Sequence, residues 1–224
     1  MYYLVKLSDD VLESMVLAAV EAYCLGDGRR SGAAHLETLG YVWGFGRIED
    51  ELTVLYVTKL SMSLSARRTN NSVTPNLRAA LLKNEVIRRW SPQLSLLGDF
   101  HTHPYEDLSQ VQGCNGFEFS TADYASFAKD DLVWNESGNS PLMLAMTICK
   151  LNRVHTSIGG EQIRGNVWRF DVGEYRLWLN AAVGELDAQG NRVATGNKYS
   201  KVDLDLNSRF FNISGDRIID RLSA

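Results

Sequence analysis

Leu94-Ser95-Leu96-Leu97-Gly98-Asp99-Phe100-His101-Thr102-His103-Pro104 decides the reading of this chain. An apolar run that ends in two histidines one residue apart, taken as a strand, aims both imidazoles to the same side. That is a ready pair of metal ligands. Ser120-Thr121-Ala122-Asp123 follows after a loop and reads as the start of a helix. Asp123 can therefore bring a carboxylate to His101 and His103, leaving the fourth corner of a zinc tetrahedron open for water, as a hydrolytic site requires. Each piece has a plainer reading when taken singly. A histidine at a strand end is often satisfied by hydrogen bonds, and Ser-x-x-Asp comes close to the capping box that many helices use for stability alone.

Working outward, Ser8 is placed to cap a helix with Asp9 and Asp10 in its first turn, an apolar face through Val11, Met15, Leu17, Ala18 and Ala19, and a stop at Gly26-Asp27-Gly28. Glu37 to Phe45 and Leu52 to Val57 are rich in aromatic and β-branched residues and read as paired strands, with Glu49-Asp50-Glu51 as a solvated connection. From Asn76 the spacing of Leu77, Ala80, Leu81, Val86, Ile87 and Trp90 predicts a helix that Ser91-Pro92 stops. A second helix follows Ser120, and Leu142 to Leu151 reads as a buried strand. Alternation over Trp168/Phe170/Val172, Tyr175/Leu177/Leu179 and Val202/Leu204/Leu206 predicts half-buried strands, whereas the weakly apolar stretch from Gly184 to Ser200 reads as a long turn or mobile loop. The fold class is α/β in the broad sense, mixing helices and sheet (α+β).

The 224 residues suit one sizeable domain, or a domain with elaborations, and an apolar fraction of 45% is ordinary for a chain that buries a core. A net charge of -4 offers no bulk attraction to nucleic acid or to an anionic membrane. No stretch approaches the roughly 20 apolar residues of a membrane span, and the first residues lack a signal-peptide pattern. Cys24, Cys114 and Cys149 form an odd set without CxxC spacing, which fits a reducing compartment; a cytoplasmic protein is expected.

Joined together, the pieces say more than they do apart. The glutamate at Glu37, His101-Thr102-His103-Pro104 and Ser120-Thr121-Ala122-Asp123 resemble the signature of the JAMM metallopeptidases, also called the JAB or MPN+ family. Glu37-Thr38-Leu39-Gly40-Tyr41-Val42-Trp43-Gly44 looks like that family's first motif, and Gly98-Asp99-Phe100 like its approach to the histidines. The likeness covers roughly residues 8–150. It departs from the family in the sixteen residues from Pro104 through Phe119, a longer spacing than usual, and in Phe119, which stands where proline is common. Closure entropy grows slowly with loop length, so an insertion there leaves room for the ligands to meet.

The resemblance implies an MPN-like curved mixed β-sheet flanked by helices over residues 1–150; beyond it, the alternating strands of residues 151–224 read as a C-terminal β-rich extension that is expected to pack on the same domain, with covering a sheet edge or supplying a dimer surface as the other readings. It implies one zinc ion per chain on His101, His103 and Asp123, with Glu37 as the base and later the proton donor, and with Ser120 as a hydrogen-bond donor to the oxyanion. The expected reaction is zinc-dependent hydrolysis of an amide or isopeptide bond, removing or maturing a ubiquitin-like modifier at its C-terminal tail. Two alternatives stand beside it: a non-catalytic MPN scaffold that binds partners, and a peptidase acting on small peptide or amino-acid conjugates. A barrel amidohydrolase or phosphoesterase fits poorly, with only four histidines in the chain. His35 reads as a surface or supporting histidine, His155 as structural, and Glu106-Asp107 as a solvated piece of the inserted segment. Cys114, between Gly113 and Gly116, reads as a free thiol; the rival reading has it fold back onto the zinc and hold the enzyme latent.

Overall fold

A computed structural model of the protein describes residues 1–26, 34–152, 159–195, 201–206, 208 and 211. In chain order the elements are β1 (Tyr2–Leu7), α1 (Asp9–Leu25), β2 (Leu39–Glu49), β3 (Leu52–Met62), β4 (Arg67–Arg68), β5 (Val73–Thr74), α2 (Leu77–Trp90) and β6 (Ser95–Asp107). They continue with α3 (Leu108–Cys114), α4 (Thr121–Lys129), α5 (Asp131–Glu136), β7 (Leu142–Lys150), β8 (Glu161–Arg164), β9 (Val167–Val172), β10 (Tyr175–Leu186), β11 (Arg192–Thr195) and β12 (Val202–Asp205).

One mixed sheet dominates, in the order β12-β1-β3-β2-β6-β7-β10-β9-β8, with β11 also paired to β10. The contacts β1/β3, β1/β12 and β6/β7 are parallel, and the remaining pairs are antiparallel. The sheet curls until its two ends approach. Leu204 N donates to Gly165 O at 2.8 Å, and the Trp168 indole N–H donates to Leu204 O, so β12 meets the turn between β8 and β9.

Strand alternation divides the buried side chains between two faces. Val5, Val42, Phe100, Leu144, Met146, Leu177, Leu179 and Leu204 point into the curl, where α1 fills the space with Val11, Leu12, Met15, Val16 and Ala19. On the other face Leu39, Tyr41 and Trp43 pack on Ala80 and Ile87 of α2 and Val133 of α5, while Met143, Ala145 and Ala182 pack on Phe119, Phe127 and Trp134. His101 and His103 belong to this second, helix-covered face. The parallel approach of β6 to β7 depends on Gly98, where a Cβ would lie 1.7 Å from the carbonyl oxygen of Leu142.

Several expectations are modified. β2 begins at Leu39 rather than Glu37. The helix after Ser8 forms, but the Ser8 hydroxyl makes no capping bond and has no hydrogen-bond partner. The backbone does the work there, with Ser8 N donating to Val57 O at 3.0 Å and Ser8 O accepting from Val11 and Leu12. The stretch from Gly184 contains a hairpin rather than a long turn: Val183 to Leu186 pair with Arg192 to Thr195, and the Asp187 carboxylate accepts from the backbone N–H groups of Gln189 and Asn191. Asp27, Gly28, His155 and residues 196–200 lie outside the described residues. Among the described residues no helix is long and apolar enough to cross a membrane.

Candidate metal centre

β6 delivers His101 and His103, and α4 delivers Asp123 to meet them. The helix start is fixed by a reciprocal cap: Ser120 Oγ accepts from Asp123 N at 3.1 Å, and Asp123 Oδ2 accepts from Ser120 N at 2.6 Å. The cap therefore sets the rotamer of Asp123 as well as the helix boundary. Phe119, 4% exposed, closes the apolar side of the group, with its ring centroid 6.2 Å from that of His101.

The two Nε2 atoms stand 3.1 Å apart, His101 Nε2 lies 3.4 Å from Asp123 Oδ1, and His103 Nε2 lies 3.3 Å from Asp123 Oδ2. The two histidines meet different oxygens of Asp123, and with one ligand atom from each residue the three lie within 4.8 Å of one another; an ion bound at about 2.0–2.1 Å by tetrahedral ligands would hold them roughly 3.3 Å apart. The side chains are only 10%, 11% and 17% exposed. Among the described residues this is the group that can hold a metal ion.

Charge states agree with that role. Burial lowers the pKa of His101, against the pull of Asp123, which favours the neutral imidazole. Burial also opposes the charge on Asp123, but hydrogen bonds from His101 and His103 outweigh it and hold the carboxyl well below the usual range. Neutral imidazole and ionised carboxylate are the forms that bind a cation.

Glu37 precedes β2 and is placed by its backbone. Its N–H donates to Thr69 O at 2.9 Å, and the next residue is tied to the histidine strand, with Thr38 N donating to Thr102 Oγ1 at 2.9 Å and Thr102 N donating to Thr38 O at 3.0 Å. Burial pushes the Glu37 carboxyl up to about 7; the charge of His103 lowers it and that of Asp123 raises it, so Glu37 lies within electrostatic reach of both ligands. A carboxyl titrating near neutrality can both take and return a proton.

Other acidic and basic candidates sit elsewhere. His35 adopts a left-handed backbone (φ 63°) and stacks on Tyr23 with centroids 4.2 Å apart, outside the ligand group. Asp107 caps α3 by accepting from Gln110 N at 2.9 Å, so one half of the Glu106-Asp107 pair is structural. The Cys114 thiol faces Gln110 O at 3.1 Å and Tyr105 Oη at 3.7 Å and is not a member of the ligand group.

Two neighbours escaped the sequence reading. Asp99 shares the histidine face; its Oδ1 is shielded without a hydrogen-bond partner, and burial, with the charges of Asp130 and Asp123, raises its pKa well above the carboxylate range. Tyr105 follows His103 by two residues, and burial, the Cys114 thiol and the charges of Asp123 and Glu37 push its phenol up to about 12. Strand period alone placed both on the ligand side, which was the available signal.

No protein-family model matches the chain, and no curated protein sequence matches it.

Proposed function

We propose that the chain is a JAMM-type zinc metallopeptidase that hydrolyses an amide or isopeptide bond at the extended C-terminal tail of a ubiquitin-like protein or its conjugate. The observation that carries this reading is the convergence of His101, His103 and Asp123, whose ligand atoms lie within 4.8 Å of one another, beside a Glu37 carboxyl whose pKa burial raises toward neutrality. Two nitrogens and one carboxylate oxygen, with a fourth corner open, are the donor set of catalytic zinc rather than of magnesium or calcium.

His101, His103 and Asp123 would hold the zinc, which would supply a Lewis acid and lower the pKa of water toward about 7. The remaining roles belong to the chain. Glu37, whose carboxyl pKa is raised by burial in the metal-free protein, accepts a proton from the attacking water and returns it to the leaving amine. Ser120 Oγ accepts from Asp123 N, so its own O–H is available to donate to the carbonyl oxygen as negative charge develops. Asp123 keeps both imidazoles oriented while its helix cap fixes the carboxylate.

The test is metal analysis together with hydrolysis of a tail peptide ending in Gly-Gly and joined to a fluorogenic amine. The expected result is one zinc per chain in the parent and in Glu37→Gln, with turnover lost in the variant. Full turnover by Glu37→Gln overturns the assigned base. A chain that takes up no zinc, with Asp123 serving only its helix cap, would instead support the binding-scaffold reading.

A further inference from the structure

The segment from Pro104 to Phe119 is built into the fold. It continues β6, forms α3 and returns to α4 with Val111 fully buried and Asn115 turning the chain in a left-handed conformation (φ 52°, ψ 45°). Two buried polar side chains of the sheet grip its backbone: Thr147 Oγ1 donates to Gly116 O at 2.8 Å, and Asn180 Nδ2 donates to Phe117 O at 3.0 Å. The Phe117 ring stacks on Trp178, Arg164 lies over the same ring at 5.2 Å, and Arg164 pairs with Glu118. A lid drawn from the low-stability end of a structure has few such contacts; this segment is a wall.

One residue connects the wall to the ligands. His101, His103 and Tyr105 alternate along β6, opposite Ala145, Thr147 and Cys149 of β7, so they share one face at spacings of about 7 Å. The phenol ring is clamped. A Cβ on Gly116 would fall 2.5 Å from its Cζ and 2.8 Å from its Oη, so only glycine lets the wall's backbone lie against the ring. The Tyr105 carbonyl accepts from the Tyr23 hydroxyl at 2.9 Å. The single proton of the Cys114 thiol goes to Gln110 O at 3.1 Å, so the phenol's own proton faces only the weak sulfur acceptor of Cys114 at 3.7 Å and can turn to a stronger one.

We infer that Tyr105 is a specificity-determining residue whose fixed O–H donates to a backbone carbonyl of the substrate beside the scissile bond, and that the Pro104–Phe119 wall serves to hold it there. This rests on the hydrolase reading above. The donor is neutral and already oriented, so it favours an extended peptide over a small conjugate that lacks a second carbonyl.

The experiment measures binding of a Gly-Gly-ended peptide amide by calorimetry to the zinc-loaded Glu37→Gln protein, which holds the peptide without cleaving it. Adding Tyr105→Phe, which keeps the ring and removes the hydroxyl, is expected to leave zinc content unchanged and weaken the peptide by roughly tenfold. In the active background the same change raises KM with kcat little altered. Gly116→Ala, which displaces the ring, is expected to lower peptide affinity in the same direction. Equal affinity in Tyr105→Phe overturns the inference while the hydrolase reading stands; loss of zinc in that variant overturns it in favour of a structural role. A parent that binds zinc but not the peptide overturns the substrate class and the role of Tyr105 together.

Discussion

Thr38 and Thr102 are cross-linked twice, once from backbone N–H to hydroxyl and once from backbone N–H to carbonyl, at 2.9 and 3.0 Å. The residue between the two histidines thereby holds the residue after Glu37, and the proposed base is tied to the metal strand across 64 positions of sequence. Both threonines are almost wholly buried, at 2% and 1% exposure. Thr102→Val keeps the shape and strands the Thr38 N–H, so a loss of about 1–3 kcal/mol is expected in urea unfolding. Thr102→Ser should recover most of it. A valine variant as stable as the serine variant would show that the crossing contributes nothing.

The Glu37 carboxyl also gives the metal-free protein a pH signature. Its folded pKa, about 7, lies above the ordinary 4.5, so the folded state binds the proton more tightly than the unfolded state. Stability from this group is complete below pH 4.5, falls as pH rises, and is gone above about 7. Melting of chelator-treated protein should therefore show Glu37→Gln gaining on the parent through that window. Parallel melting curves at every pH would contradict the buried placement of the carboxyl.

Gly98→Ala tests the closeness of β6 and β7. The added methyl group would meet the backbone of Leu142, where neither strand can move without breaking the parallel pairing that continues through His101 and His103. A cost of about 1–3 kcal/mol or more is expected, accompanied by weaker zinc retention, since the ligand strand shifts with it. Unchanged stability and zinc content would mean that the two strands separate without consequence.

The thiols divide by burial. Cys24 and Cys114 are exposed, whereas Cys149 is fully buried and its pKa is pushed up to about 11. Titration with a disulfide reagent at pH 8 should count two thiols in the native protein and the third only after denaturation. Three equally fast thiols would place Cys149 at the surface.

The clustering of His101, His103 and Asp123 and the helix after Ser120 were legible because they depend on local rules, strand alternation at His101 and His103 and a cap at Ser120 and Asp123. The rest depended on long-range bonds or weak local patterns. The hairpin after Gly184 escaped notice because β11 pairs only with β10 in the sheet and carries too little apolar content to alternate clearly. In the inserted segment Leu108 and Val111 are the only aliphatic residues of α3, and the Thr147 and Asn180 anchors come from strands far along the chain. β2 starts two residues after Glu37 because Thr38, though a β-branched strand former, and Glu37 send their backbone bonds to Thr102 and Thr69.

The pairing of β1 with β12 has a bearing on biosynthesis. Tyr3 to Lys6 align in parallel with Val202 to Asp205, so this partner of β1 is synthesised 199 positions after it. Such distant partners make closure slow relative to local hairpins. While translation proceeds, the emerging polypeptide can assemble β2, β3, β6, β7 and the histidine face, but one border of β1 waits exposed until β12 is released. Should the His101, His103 and Asp123 group take up an ion ahead of that closure, the nascent chain would gain a folded nucleus on which to wait.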